Sequence, residues 1–218
     1  MADSVLKPTL VYFSGIGGRG EPIAMLLHFA NVDYHQERNP GKLGQFSHTG
    51  KLPVYLLPSG KKYYESNAIL RMLGAQHGFY SNDPDIMWQI DTVMHRVEEV
   101  FAYEGVAPHT KYMMSSNKES KKGLLQMYAR LCNFGEERLK MHGKPYIAGT
   151  DNPTIADFRY IVQFSDSIYN EGCKMDEQVK SEIKGMIGER PLFQKWVQET
   201  MISKYLKEYL ASRAPLSW

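Results

Sequence analysis

Four short stretches carry groups whose chemistry goes beyond packing. Tyr12 and Ser14 set two hydroxyls at the end of the run Thr9–Phe13. A hydroxyl there can hydrogen-bond a ligand's thiol and favour the thiolate, although core packing is the plainer role of a strand tyrosine. Gly15, Gly17 and Gly20 then match G-x-G-x-x-G between a strand and a helix, with Asp33 and Glu37 near the distance expected of a ribose contact. Gly50-Lys51-Leu52-Pro53 brings a proline to the opening of a strand, where it cannot donate to a ladder. Either the strand is an edge, or the Leu52–Pro53 bond is cis and aims the Leu52 N–H and C=O at an extended peptide. In Glu65-Ser66 a carboxylate able to face an ammonium stands beside a helix start able to hold a carboxylate, a pair that suits a zwitterion. Taken alone, Ser66 reads as an N-cap.

The elements that must hold these groups follow from the pattern. Thr9–Phe13 reads as a buried strand, and Glu21-Pro22 opens a helix that ends near Asn31. A weaker strand covers Val32–Glu37, and a hairpin joins Leu52–Leu57 to Lys61–Tyr64 across Pro58-Ser59-Gly60. Ser66 precedes a helix over Asn67–Leu73, so the first eighty residues read β-α-β-β-β-α. After Ser81-Asn82-Asp83-Pro84 the period becomes helical, over Ile86–Tyr103, Glu119–Met141, Ile155–Asn170 and Leu192–Glu199. Thr154-Ile155-Ala156-Asp157 has the layout of a capping box and reads as structural. This places a boundary near residue 81, with one unit over 1–80 and an all-helical unit over 85–218.

The hairpin also weighs against the dinucleotide motif. A doubly wound fold needs further parallel strand-helix repeats, which this chain lacks. At 218 residues with 43% apolar and 23% charged residues, the chain has the makeup of a folded globular protein. A net charge of +2, from 26 basic residues scattered among 24 acidic ones, leaves no stripe for nucleic acid. No signal-length or membrane-length apolar run occurs, and a soluble, cytoplasmic protein is expected. Cys132 and Cys173, 41 residues apart, suggest neither a disulfide scaffold nor a metal site.

Taken in order, L-V-Y-F, G-R-G-E-P-I, G-K-L-P-V, E-S-N-A-I-L and T-I-A-D-F resemble the cytosolic glutathione transferases across the whole chain, in particular the tyrosine-type classes and nearest to sigma. The resemblance implies an α/β thioredoxin-like N-terminal domain that binds glutathione, an all-α C-terminal domain that forms most of the electrophile pocket, and a homodimer active in detoxification. It implies that Tyr12 activates the glutathione thiol, that the backbone of Leu52 before cis Pro53 pairs with the cysteinyl unit, and that Lys51 lies on the segment facing the peptide. Glu65 and Ser66 then hold the γ-glutamyl group, and Glu99 reaches into the neighbouring subunit's site. Phe13, Phe101, Tyr103, Met113 and Met114 are candidate walls of an adaptable apolar cleft, although packing suits each of them singly.

Three departures bear on these expectations. Tyr12 to Glu21 spans nine positions, one more than the family pattern, which questions the reach of Tyr12 and keeps Ser14 as the alternative thiol partner. The segment from Arg38 to Pro53 is shorter than in sigma-like relatives and lacks their glycyl-carboxylate contacts, for which Lys42, Gln45 or His48 could substitute. Glu65 stands where many relatives carry glutamine. The expected activity is conjugation of the glutathione thiolate to small hydrophobic electrophiles, with isomerase or peroxidase use of the same thiolate open. A non-catalytic glutathione-binding or structural relative is the alternative, and an NAD(P)-dependent oxidoreductase the third reading.

Overall fold

The computed structural model describes residues 7–38, 41, 45–102, 108–213 and 216. Strand β1 (Thr9–Val11) pairs in parallel with β2 (His35–Glu37), the two joined by helix α1 (Glu21–Phe29). On its other side β1 runs antiparallel to β3 (Val54–Leu56), which pairs with β4 (Lys62–Tyr63) through the expected hairpin. The resulting order, β2-β1-β3-β4, is a mixed sheet followed by α2 (Ser66–His77). A doubly wound nucleotide fold needs a parallel sheet, so the dinucleotide reading is set aside. Of the acids enlisted for it, Asp33 pairs with Lys7 at 2.5 Å on the surface.

Strand β1 is shorter than the run Thr9–Phe13, although the Tyr12 N–H beyond it still reaches the Glu37 carbonyl at 2.9 Å. Ser66 is the first helical residue of α2 and not its cap. The cap position belongs to Glu65, whose side chain makes no capping bond. Helix α1 stops at Phe29, and Asn31 takes a left-handed φ of 52° where the chain reverses.

The remainder is helical: α3 (Pro84–Ala102), α4 (Pro108–Met114), α5 (Lys118–His142), α6 (Ile155–Ile168), α7 (Glu177–Gly188) and α8 (Pro191–Lys195). From α8 the chain continues as a π-helix over Trp196–Leu206 into α9 (Lys207–Ser212). Helices α4, α7 and α9 escape the pattern analysis. Helix α7 buries only Val179, Lys180, Ile183 and Ile187, a narrow stripe, and the wider π turn breaks the 3.6-residue period beyond Glu199.

Helix α6 is buried along its whole length, and Asp157 anchors its start. Its Oδ2 accepts the Thr154 N–H at 2.8 Å and the Thr154 hydroxyl at 3.0 Å; its Oδ1 accepts the Ile147 N–H and the Trp196 indole N–H at 3.0 and 3.2 Å. The Phe29 ring of α1 stacks on Phe158 of α6 at 5.3 Å, so one apolar cluster runs through the sheet half and the helical half. Cys132 and Cys173 are free, buried thiols, and burial pushes the Cys132 thiol up to about 12.

A buried charge cluster closes the same junction. Arg213, beyond α9, pairs with both Glu21 of α1 and Asp166 of α6, the latter at 2.9 Å, while the Tyr209 hydroxyl donates to Glu21 at 2.6 Å. Removing the shared cation leaves two buried carboxylates facing each other, so Arg213→Met is expected to lower stability in urea by about 3 kcal/mol. Burial and the neighbouring Glu21 push the Asp166 carboxyl up to about 7, against the pull of Arg213 and of the Ser165 hydroxyl. The unfolded chain releases that proton near about pH 4, so between about pH 4 and 7 the folded state binds more protons. This contribution to stability is full below pH 4 and is lost as pH rises through 7. Asp166→Asn is expected to flatten that decline in denaturation midpoints measured from pH 4 to 8.

Candidate functional site

The site is built around the turn between β1 and α1. Gly15 and Gly18 take φ values of 70° and 45°, open only to residues that tolerate the left-handed region, and the Gly20 and Glu21 N–H groups both close on the Gly17 carbonyl. This folds the turn back over Tyr12. A β-carbon on Gly20 would lie 2.5 Å from the Tyr12 ring and one on Gly18 would lie 2.8 Å from its hydroxyl, so the ring is pressed flat against bare backbone. The Arg19 N–H donates to the Tyr12 oxygen at 3.1 Å. The longer spacing from Tyr12 to Glu21 is thus accommodated within the turn, and the hydroxyl meets the turn's own amide.

Burial pushes the Tyr12 phenol above its ordinary value, although the Arg19 amide and the Arg159 and Arg19 charges pull it back. The group is a neutral phenol at physiological pH. Its oxygen accepts from Arg19, and among the described residues none accepts its proton. Ser14 differs from Tyr12 because β1 ends at Val11: strand alternation does not reach it, and it lies exposed in the turn while Tyr12 is buried.

The register of β1 against β3 pairs Val11 with Val54, which brings Tyr12 alongside Pro53. The Leu52–Pro53 bond is cis, and among the described residues neither the N–H nor the C=O of Leu52 is hydrogen-bonded. Lys51 beside it is exposed, and the Gln45 carbonyl accepts from Lys62 at 2.6 Å. Glu65 has φ 65° and ψ 107°, a backbone conformation costing about 1–3 kcal/mol in a residue with a β-carbon, and its side chain is exposed. Ser66 is buried at the start of α2, where the first N–H groups have no intrahelical acceptor.

Four groups whose pairing was missed in the sequence tie these pieces together. Glu98 of α3 accepts from Asn67, next to Ser66, at 3.3 Å, from Arg159 of α6 at 3.1 Å, and pairs through its other oxygen with Arg19. Burial raises the Glu98 carboxyl, but Arg159 and Arg19 outweigh it and hold the group below its ordinary value. Only distant pairing reveals this knot, because no local motif links residues 19, 67, 98 and 159.

The other expected residues are spread over the two halves. Glu99 faces outward, pairing with Arg96 at 2.6 Å in a groove of about 570 Å³ lined also by Trp88, His95 and Phe134. Phe13 is 39% exposed beside the turn, its ring edge-on to Tyr12 at 5.4 Å. Met113 packs on the core of the helical half, whereas Met114 is 78% exposed. Lys42 and Tyr103, and the Phe101 side chain, lie outside the described residues. Among the described residues no helix is long and apolar enough to cross a membrane, and no group of three or more His, Cys, Asp and Glu side chains is placed to hold a metal ion.

No family model and no curated protein matches the chain by sequence. Solved structures do match. A monomeric glutathione S-transferase of the hookworm Necator americanus superposes with a TM-score of 0.77 at 20% identity, over 98% of this chain and 100% of the other. A glutathione S-transferase of Ascaris lumbricoides gives 0.75 at 19% identity, over 97% and 100%. Prostaglandin synthase D of Nilaparvata lugens gives 0.70 at 20%, over 95% and 98%. The chain therefore has the glutathione S-transferase fold, a thioredoxin-like sheet half and an all-helical half.

Glu65 offers a test of whether its backbone serves a ligand. Glu65→Gly is expected to raise the unfolding free energy of the free chain by about 1 kcal/mol, because glycine adopts a positive φ at lower cost than a residue with a β-carbon, and to weaken retention on immobilised glutathione. Gain of stability with retention unchanged would show that the strained glutamate holds nothing.

Proposed function

We propose that the chain is a glutathione transferase, conjugating the glutathione thiolate to small hydrophobic electrophiles. The observation that carries this reading is the Tyr12 phenol. It is buried and neutral, its oxygen is held by the Arg19 amide, and its proton is left for an acceptor outside the described residues. In the proposed complex the S–H proton leaves to solvent and the sulfur, now an anion, accepts the Tyr12 O–H. The thiolate then attacks the electrophile. The free N–H and C=O of Leu52 pair with the cysteinyl backbone, the start of α2 at Ser66 takes the γ-glutamyl carboxylate, and the exposed Glu65 faces the ammonium.

Lys42, Gln45 or His48 is proposed for the glycyl end, Lys51 for the segment facing the peptide, and Phe13 for the electrophile side. A dimer that carries Glu99 to a neighbouring site, and a cytoplasmic location, belong to the same proposal. The prostaglandin synthase among the matching structures supports isomerase use of the same thiolate as a second activity.

A hydrogen bond to a charged group contributes about 1.5–3 kcal/mol, which corresponds to about one to two pKa units on the bound thiol. Ultraviolet thiolate absorbance of the complex, titrated from pH 5 to 9, reads that value. Tyr12→Phe is expected to raise the thiol pKa by about one to two units and to cut conjugation at neutral pH by about tenfold or more, with Ser14→Ala near the unmodified chain. The reverse result would assign activation to Ser14. Binding of glutathione with no thiolate and no conjugation would leave a non-catalytic binding protein.

A further inference from the structure

Arg159 is an unusual residue for its place. It sits on α6, a helix buried from end to end, and the arginine itself is 0% exposed. Placing a guanidinium there carries a large desolvation penalty that packing alone does not require. The side chain points toward the sheet half: its Nη2 donates to Glu98 at 3.1 Å, Glu98 pairs with Arg19, and the Arg19 N–H donates to the Tyr12 oxygen at 3.1 Å. The same Glu98 oxygen accepts from Asn67, one residue beyond Ser66. Glu98 thus joins both ends of the proposed glutathione site, and Arg159 holds Glu98 from behind.

We propose that Arg159 is a positioning residue for thiol activation: through Glu98 it fixes Arg19 and the turn over Tyr12, and so makes the reactivity of the sheet half depend on the helical half. This rests on the transferase reading. The contact chain is continuous and short and crosses three elements; its Arg159–Glu98 and Glu98–Arg19 links are charge-assisted bonds, stronger than neutral ones, and the last is an amide-to-phenol bond. Burial brings the Arg159 guanidinium down to about 10, with Glu98 opposing, so it is cationic at neutral pH. Its charge also lowers the Tyr12 phenol, the direction that strengthens donation to a thiolate.

The test compares Arg159→Met, Arg159→Lys, Glu98→Gln and the Glu98→Gln/Arg159→Met pair. The readouts are the pKa of bound glutathione, from thiolate absorbance, and the pH profile of conjugation of a chromogenic aryl halide. Arg159→Met is expected to raise the bound-thiol pKa by about one unit, leaving about tenfold less thiolate on the acid side, with a smaller change in the KM for glutathione. Arg159→Lys is expected to recover part of the shift, because it restores the charge without the planar fork. In the Glu98→Gln background the Arg159→Met effect is expected to shrink, since the two act through one contact. A bound-thiol pKa unchanged in Arg159→Met, or additive effects in the pair, would overturn the proposal and leave Arg159 a packing residue. If the Met variant does not fold, Arg159→Lys and Glu98→Gln decide by the same measure: a thiol pKa unchanged in both overturns it. Absence of a thiolate in the unmodified complex would instead defeat the transferase reading itself.

Discussion

The close contact between the Tyr12 ring and the backbone of Gly18, Arg19 and Gly20 is the constraint on which the other features depend. With the ring 2.5 Å from where a Gly20 β-carbon would stand, only glycine permits the turn to lie over the phenol, and only that turn brings the Arg19 amide to its oxygen. A strand-end tyrosine would otherwise be free to choose another rotamer. Here the rotamer is set by contact on one face and a hydrogen bond at the tip, so the hydroxyl is held before any ligand arrives.

A turn rich in glycine does not hold itself in place, because glycine adds to the conformational entropy that folding must overcome. Three guanidiniums supply the restraint. Arg38 donates to the carbonyls of Ile16 and Phe13 at 2.9 and 3.3 Å, Arg213 grips Glu21 at the end of the turn, and Arg19 within the turn is tied to Glu98. Two of these restraints reach α6, at Asp166 and Arg159, which stand seven residues apart and so share a face of the helix. Gly17 fits there because a β-carbon would meet the Asp166 carboxylate at 2.0 Å. The central helix of the helical half is therefore the floor against which the turn is set, and its burial makes that floor rigid.

The order β-α-β-β-β-α, the hairpin, the long helices α3, α5 and α6 and the Thr154–Asp157 box were legible from local pattern and turn chemistry. So were two features of the candidate site, Pro53 and Glu65-Ser66, because a proline at a strand opening and an acid before a helix start are locally odd. What the pattern misassigned is instructive. Ser66 is helical and Glu65 occupies the cap position in a strained conformation, since the positive φ of a glutamate has no sequence signal. Alternation along an extended strand would put Ser14 on the face of Tyr12, a rule that fails because the strand ends at Val11.

The restraints on the turn were illegible for a different reason: each joins residues far apart in the chain, with Arg213 and Glu21 separated by 192 positions and Arg159 and Glu98 by 61. Local propensity cannot report such pairs, yet a charged residue inside an apolar helix does report that a partner exists. Arg159 and Asp166 stand in the midst of Phe158, Tyr160, Ile161, Val162 and Phe164, and a charge in that setting is stable only when another element brings its counter-charge. In this fold those counter-charges lie against the glycine turn, so the buried charges of α6 point to the site as surely as the tyrosine above them.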